Sequence, residues 1–331
     1  MFNAIKQRLN GGVSYSPLPL VTSLPDWQAA LKQKDLAQLD ELLNGMSCAE
    51  RYPAWLTLAK LPNKTLRQWY NDAGHAAIAL AVQLFEQAMT IRGDGFPEQV
   101  DTKIWNRFFA LTDEAQGWLE QFNPGADNIF FSDWQSWMML TQLTHAEGVH
   151  AMHACRVAAS KHCPDNFVAD RHYFLAMSRR FGGDNEQMFQ FARQVLKPAL
   201  GASQHSLLAF AYNELAATLR VDKGLEASQR YMQRPVFVDE LSESFRKWLG
   251  TKELSVANIQ QRAHTPMGVW QLNEYALAFA QIGEETLLPR ILQAIDGNLI
   301  GLSWQRLAMN KSEAKQPRKH YQRLLTQVKS G

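Results

Sequence analysis

Apolar residues recur every three to four positions in one segment of the chain after another, while the two-residue alternation that marks strands is nearly absent. A first helix is expected from Asp26, an N-cap just after Pro25. It carries Trp27, Ala30, Leu31, Leu39 and Leu42 inward and ends at Asn44-Gly45. The longest amphipathic stretch runs from about Ala73 to Ile91, with Ile78, Val82, Phe85 and Met89 on one stripe. The next spans about Gln99 to Phe122, where Ile104, Phe108, Leu111, Ala115, Trp118, Leu119 and Phe122 keep the helical period. The two are joined by Arg92-Gly93-Asp94-Gly95-Phe96-Pro97. A further helix opens at Ser132, whose hydroxyl and Gln135 form a capping box ahead of Trp134, Trp137, Met138, Leu140 and Leu143. Proline and glycine recur at short intervals throughout, leaving room for helices of about 10 to 20 residues, as packed antiparallel pairs require.

The stretch from Met177 to Gln187 reads as one helix ending and another beginning. Phe181 closes an apolar face, Gly182 and Gly183 can take the positive φ values of a tight reversal, and Asp184 with Gln187 makes an acidic capping box. Met188, Phe191, Ala192 and Val195 follow at helical spacing. Similar patterns flank Gly224 and Gly283. Around Gly283, Tyr275, Ala276 and Phe279 lead in, and Leu288, Leu292 and Ile295 follow as in a tetratricopeptide-type hairpin. No strict period of about 34 residues survives. The expected fold is all-α, a tetratricopeptide-like stack of antiparallel helical hairpins, or α-solenoid. Its parts are an N-terminal extension over 1–25, a helical unit over 26–123, a helical array over 132–309 and a basic helix or tail over 310–331. Residues 124–131 form the natural hinge between packing units.

Several landmarks occur in order: Trp69 and Ala73 entering a long helix, Arg92-Gly93 at its exit, Trp105 and Phe108 in the next, then Trp134, and Arg180-Phe181-Gly182-Gly183 leading to Phe191-Ala192. Over roughly residues 65 to 220 the chain thereby resembles a bacterial family defined only as a domain of unknown function with tetratricopeptide-like helices. That family usually has Trp-Gly-Gly-Ser at the turn. Phe181 and Asp184 stand at the outer positions here and keep the roles of aromatic plug and N-cap oxygen. The resemblance implies a fold and supplies no catalytic residues.

Hydrophobic residues at 46% and charged residues at 20% exclude a mainly disordered chain. A net charge of +2 gives no whole-molecule attraction to nucleic acid or anionic membrane. The C-terminal end differs, because Arg306, Lys311, Lys315, Arg318, Lys319, Arg323 and Lys329 are opposed only by Glu313. With Tyr321, Leu324, Leu325 and Val328 at helical spacing beside them, these read as the wet face of a terminal helix. Cys48, Cys155 and Cys163 are odd in number and lack CxxC spacing, which points to a reducing, cytoplasmic setting without a disulfide framework. Residues 1–12 lack an apolar run of signal-peptide length, and no later run reaches that of a spanning helix.

Three constellations invite chemistry. Glu147 and His150 form Glu-x-x-His, half of a di-iron ligand set, but no second copy occurs. His150 and His153 lie one turn apart and can clamp zinc or copper, whereas Cys155 points to another face; His145 and His162 extend the cluster. Cys155 or Cys163, each among histidines, offers a nucleophile, yet Ala151, Ala154, Ala158 and Ala159 mark close helix packing around Cys155. No Gly-x-Ser-x-Gly elbow occurs. At Gly182-Gly183 a phosphate loop fails because no strand precedes it, no Gly-Lys-Ser/Thr follows, and Asp184 and Glu186 repel anions. The ten tryptophans, spread about one per hairpin, are expected to be core plugs in about eight cases.

The expectation is a non-enzymatic protein-binding module of a bacterial cytosol that uses no metal or cofactor. Its partner would be a protein or peptide, and in the specific version it is an immunity protein that neutralises a secreted antibacterial toxin. The competing readings are a metal-dependent enzyme built on Glu147, His150 and His153, and a nucleic-acid adaptor working through the basic C-terminal tail.

Overall fold

The computed structural model describes residues 15–16, 25–93, 95–143, 148–196, 199–307 and 316–330. These residues are helical almost throughout, and they divide into two packing units. Residues from 20 to 187 belong to one, here the N-terminal unit; those from 188 onward, with Tyr15–Ser16, belong to the other, the C-terminal unit.

In the N-terminal unit the single helix expected over 26–44 is two: α1 (Pro25–Gln33) and α2 (Leu36–Asn44). Lys34 sits at φ 56°, and the Asp35 carboxylate accepts from the backbone N–H of Gln38 at 3.0 Å, starting a fresh helix. Trp27, Ala30, Leu31, Leu39 and Leu43 are buried, with Leu42 only half-buried. α3 (Arg51–Leu58) and α4 (Asn63–Asp72) lead into α5 (Ala76–Arg92). α5 is no amphipathic surface helix. Ala76 to Val82, Leu84, Phe85 and Ala88 are all buried, because the alanines let α3, α4, α6 and α7 close on it from several sides. α6 (Thr102–Phe122) starts on Asp101, whose carboxylate accepts from Lys103 N–H at 2.7 Å. It buries the stripe Phe108, Thr112, Ala115 and Leu119.

α7 (Phe131–Thr141), α8 (Gly148–His162) and α9 (Phe167–Met177) complete this unit. Ser132 is not the N-cap of α7. The helix already includes Phe131, and the buried Ser132 hydroxyl donates to the carbonyl of Ala159 on α8 at 3.0 Å. Residues 124–131 lie inside this unit, because α7 to α9 pack with the helices before them.

After α9, a single turn over Arg179–Phe181 leads to α10 (Asn185–Gln194), within which the two units divide. Only the first glycine of the turn takes a positive φ, 92° at Gly182. Gly183 is required for space: a Cβ there would lie 2.2 Å from the carbonyl oxygen of Met177. Asp184 accepts from Gln187 N–H at 2.8 Å and caps α10. The turn meets the exit of α5, where Arg92 donates to the Arg180 carbonyl and lies between the rings of Phe181 (4.4 Å) and Trp105 (5.0 Å).

The C-terminal unit is built on two helices buried over most of their faces, α11 (Leu207–Lys223) and α15 (Pro266–Ile282). α12 (Leu225–Met232) folds back beyond Gly224, at φ 79°, and α16 (Leu288–Ile295) follows Gly283, at φ 73°. α13 (Pro235–Leu249), α14 (Val256–Arg262), α17 (Gly301–Arg306) and α18 (Pro317–Ser330) complete it. Leu299–Ile300 pairs in parallel with Tyr15–Ser16, the one extended pairing among the described residues. α18 is a packed helix rather than a tail: His320, Tyr321 and Leu324 are buried, and the Tyr321 hydroxyl donates to Leu292 O at 2.9 Å. Residues 1–14, Lys311, Glu313 and Lys315 lie outside the described residues. Seven tryptophans are buried; Trp105, Trp118 and Trp134 are half-buried.

The turn gives a stability test. Gly183→Ala forces the backbone apart and is expected to cost more than about 1 kcal/mol, and Asp184→Ala about 1 kcal/mol through loss of the cap. Urea denaturation checks both, and an unchanged midpoint for Gly183→Ala contradicts the close approach.

Candidate functional site

A dense group of ionisable and aromatic side chains lies in the N-terminal unit, where α3, α5, α7 and α9 meet. Arg51 opens α3 with its side chain only 4% exposed, and Nε donates to Asp133 Oδ2 at 2.9 Å. Its other nitrogens reach the carbonyls of Met46 (2.8 Å) and Ile129 (2.5 Å), and its guanidinium covers Phe130. Asp133 Oδ1 accepts from Trp55 Nε1 at 2.9 Å. Burial pushes the Asp133 carboxyl up, and the charge and hydrogen bonds of Arg51 and that of Trp55 oppose the shift.

Beside this pair, Tyr52 stacks on Trp137 at 5.5 Å, and the His172 ring meets both edge-on at 5.6 and 5.2 Å. His172 Nδ1 lies 2.8 Å from the Ser136 carbonyl, which only an N–H can satisfy. Burial, with the Arg171 charge adding to it, pushes the imidazole down to about 3 against the Ser136 hydrogen bond. Glu86, the only charge within a long apolar run of α5, is half-buried; burial raises its carboxyl to about 6 although the Lys60 charge pulls it down. Tyr52 is raised by burial and by Glu86. Ser132, Ser136 and Asn166 close the other side: Asn166 Nδ2 donates to the two hydroxyls at 2.7 and 3.0 Å.

Perturbed groups of this kind can mark an active site. Here a cavity of about 10 Å³ lies between Tyr52, Asp133, Ser136, Trp137 and Asn166, room for about one water. Cys48 also lines this cavity and is disulfide-bonded to Cys163 across a sequence separation of 115. The pairing removes Cys163 as a candidate nucleophile and leaves Cys155 as the free cysteine. Burial lifts the Cys155 thiol to about 11, so it is protonated near neutrality and a poor nucleophile.

Of the remaining sequence candidates, His145 and Glu147 lie outside the described residues. His150 and His153 are exposed on α8, with the His153 ring against Tyr173 at 5.8 Å. Among the described residues no group of three or more His, Cys, Asp or Glu is placed to hold a metal ion. No described helix is long and apolar enough to cross a membrane. Phe181, Gly182, Gly183, Asp184 and Gln187 form the turn described above. Missed in the sequence were Arg51, Glu86, Asp133 and His172. The usable signal was a lone charge within an apolar helix, as at Glu86 after Ala79-Leu80-Ala81-Val82-Gln83-Leu84-Phe85.

The C-terminal unit offers an exposed patch. Val221 at 55% exposure, Leu225 at 36% and Val236 at 63% lie around the α11–α12 turn and the start of α13. Tyr231 on α12 lies under Arg234 (3.8 Å) and Lys223 (5.4 Å), with Phe237 beside it at 5.9 Å. Behind them Glu240 accepts from Tyr212 Oη at 2.5 Å and from two nitrogens of Arg193 at 2.7 and 3.1 Å, bracing the patch. A separate depression of about 440 Å³ beside Leu254 and Gln293 is shallow, and its Arg290 already donates to the Leu254 carbonyl at 3.1 Å. The chain matches no protein-family profile, no curated protein and no solved structure.

His172, buried, and Glu86, half-buried, should tilt stability with pH in opposite directions. The folded His172 refuses the proton that the unfolded chain takes up below about 6.5, so stability should fall by about 2 kcal/mol from pH 7 to pH 5. Glu86 holds a proton that the unfolded chain releases above about 4.5, so its stabilising effect is lost as pH rises through 6. Glu86→Gln should therefore gain about 2 kcal/mol at pH 7 and little at pH 4. His172→Asn should flatten the loss between pH 7 and 5. Denaturant titrations across this range check both, and parallel curves for wild type and variants contradict the assignments.

Proposed function

We propose that the chain is a non-enzymatic protein-binding module of a bacterial cytosol, its hairpins forming a tetratricopeptide-like stack as in the family it resembles. In its specific form the proposal is an immunity protein that neutralises a secreted antibacterial toxin. The observation that carries the binding reading is the braced patch on the C-terminal unit, where Lys223 and Arg234 lie over Tyr231 and Val221, Leu225 and Val236 are exposed nearby in the chain. Exposed aliphatic side chains around an aromatic with cationic neighbours are the composition of an interface centre. The enclosed polar cluster supports the same reading, because its members are spent on one another in a space of about one water.

The toxin version is tested by co-expression with a toxin-like reading frame adjacent to the gene. Wild type should restore growth and co-purify with the toxin. Val236→Asp and Tyr231→Ala should weaken the complex at least about ten-fold, as expected for central interface side chains, with an unchanged circular dichroism spectrum. Rescue undiminished in both variants moves the interface elsewhere; no partner enriched above a surface-matched control removes the reading.

A further inference from the structure

We propose that the Cys48–Cys163 bridge is a redox latch of the N-terminal unit. Closed, it holds the α2–α3 connection against the end of α8; two-electron reduction by a dithiol frees that connection while the helices behind it stay folded. The two cysteines are unequal. Cys48 lies in the connection 45–50, outside any helix, and is half-buried, whereas Cys163 follows α8 and is 3% exposed. An incoming thiolate therefore reaches the Cys48 sulfur first.

The connection is otherwise held by short local bonds. The Ser47 hydroxyl donates to Glu50 at 2.7 Å, and Met46 O accepts from Arg51 at 2.8 Å. Behind it, α5 is enclosed by α3, α4, α6 and α7 without help from the bridge, and Arg51–Asp133 holds α3 to α7 separately. Opening should thus loosen one segment. No competing pair is in reach, because Cys155 lies roughly 12 Å along the same helix from Cys163. Its thiol is also kept protonated. In a reducing compartment a bridge of this kind is transient and responsive rather than a permanent staple.

The exchange balances. A dithiol's first thiolate attacks Cys48 Sγ, the S–S bond breaks, and Cys163 Sγ leaves with the electron pair and is protonated. The second thiolate attacks the reductant's own sulfur in the mixed disulfide, releasing Cys48 as a thiol. The reductant ends as a disulfide, two electrons poorer. Closure runs in reverse with oxidised glutathione, which leaves as two molecules of the reduced tripeptide.

The test equilibrates the full chain with a graded series of reduced and oxidised glutathione, followed by acid quenching, alkylation in denaturant and mass counting. One reactive thiol, Cys155, is expected at the oxidising end and three at the reducing end, with the transition inside the series. Opening should lower Tm by about 10 °C and speed proteolysis at residues 46–50 at least about ten-fold, with helical circular dichroism retained. Cys48→Ser and Cys163→Ser should behave as the reduced protein in every buffer, and Cys155→Ser should keep the response. Three reactive thiols at every ratio would show that no bridge forms. One at every ratio would make it a permanent staple, and opening without change in Tm or cleavage would show a bridge that latches nothing. Each of these results overturns the proposal.

Discussion

The N-terminal unit depends on a charge taken out of water. Arg51 and Asp133 are each 4% exposed and 82 positions apart, and removing two ions from solvent costs several kcal/mol apiece before their attraction repays it. The cost is tolerable here because the bonds are directional and numerous. Arg51 reaches Asp133, Met46 O and Ile129 O, while Asp133 also takes the indole N–H of Trp55. A contact made only of hydrocarbon could slide along α7. This one fixes where α3 lies and holds the 129–130 approach to α7. Loss of either partner would strand the other charge, a penalty of about 3–5 kcal/mol.

The C-terminal unit meets the same need with mostly neutral groups. Asn213 on α11 donates to the Glu274 carboxylate of α15 at 2.7 Å, and Ser303 donates to its other oxygen. Next to it, Asn273 donates to Asn298 O at 3.0 Å and accepts from Trp304 Nε1 at 2.6 Å and Ile300 N–H at 3.2 Å. Asn213, Asn273 and Glu274 sit mid-helix on elements buried nearly all round, and most of their bonds reach neighbouring segments. In both units, then, groups that look reactive in isolation are consumed in setting register.

Local geometry was legible in the sequence, and long-range pairing was not. Gly182, Gly224 and Gly283 could be read as left-handed turns because a positive φ is a property of one residue, and Asp184 as a cap because its partner is three positions away. Ser132 shows the limit: its hydroxyl suits a cap chemically, but α8 passes close enough to accept the bond instead. The same holds for the break at Lys34–Asp35, where a side chain competes successfully for a backbone N–H within an apparently continuous helical pattern. Gly183 was legible for the wrong reason; it makes room for the Met177 carbonyl. Arg51, Glu86, Asp133 and His172 are separated by tens of positions, and no periodicity brings them together.

Helix α8 shows why residue type alone assigns so little chemistry. Cys155 and Cys163 share a helix and its end, with histidines near each, and the sequence makes them equivalent candidates. Their fates differ because of what another segment brings. The α2–α3 connection delivers Cys48 within a Cα–Cα distance of 6.5 Å of Cys163, while Cys155 is a free cysteine and burial keeps its proton on. An odd number of cysteines is therefore compatible with one bridge and one inert thiol. A thiol count reports composition, whereas redox behaviour belongs to a pair and to the accessibility of its outer sulfur. The same distinction separates His172, held neutral by burial and by the Ser136 carbonyl, from the exposed His150 and His153. The fold determines which side chains remain available to a partner.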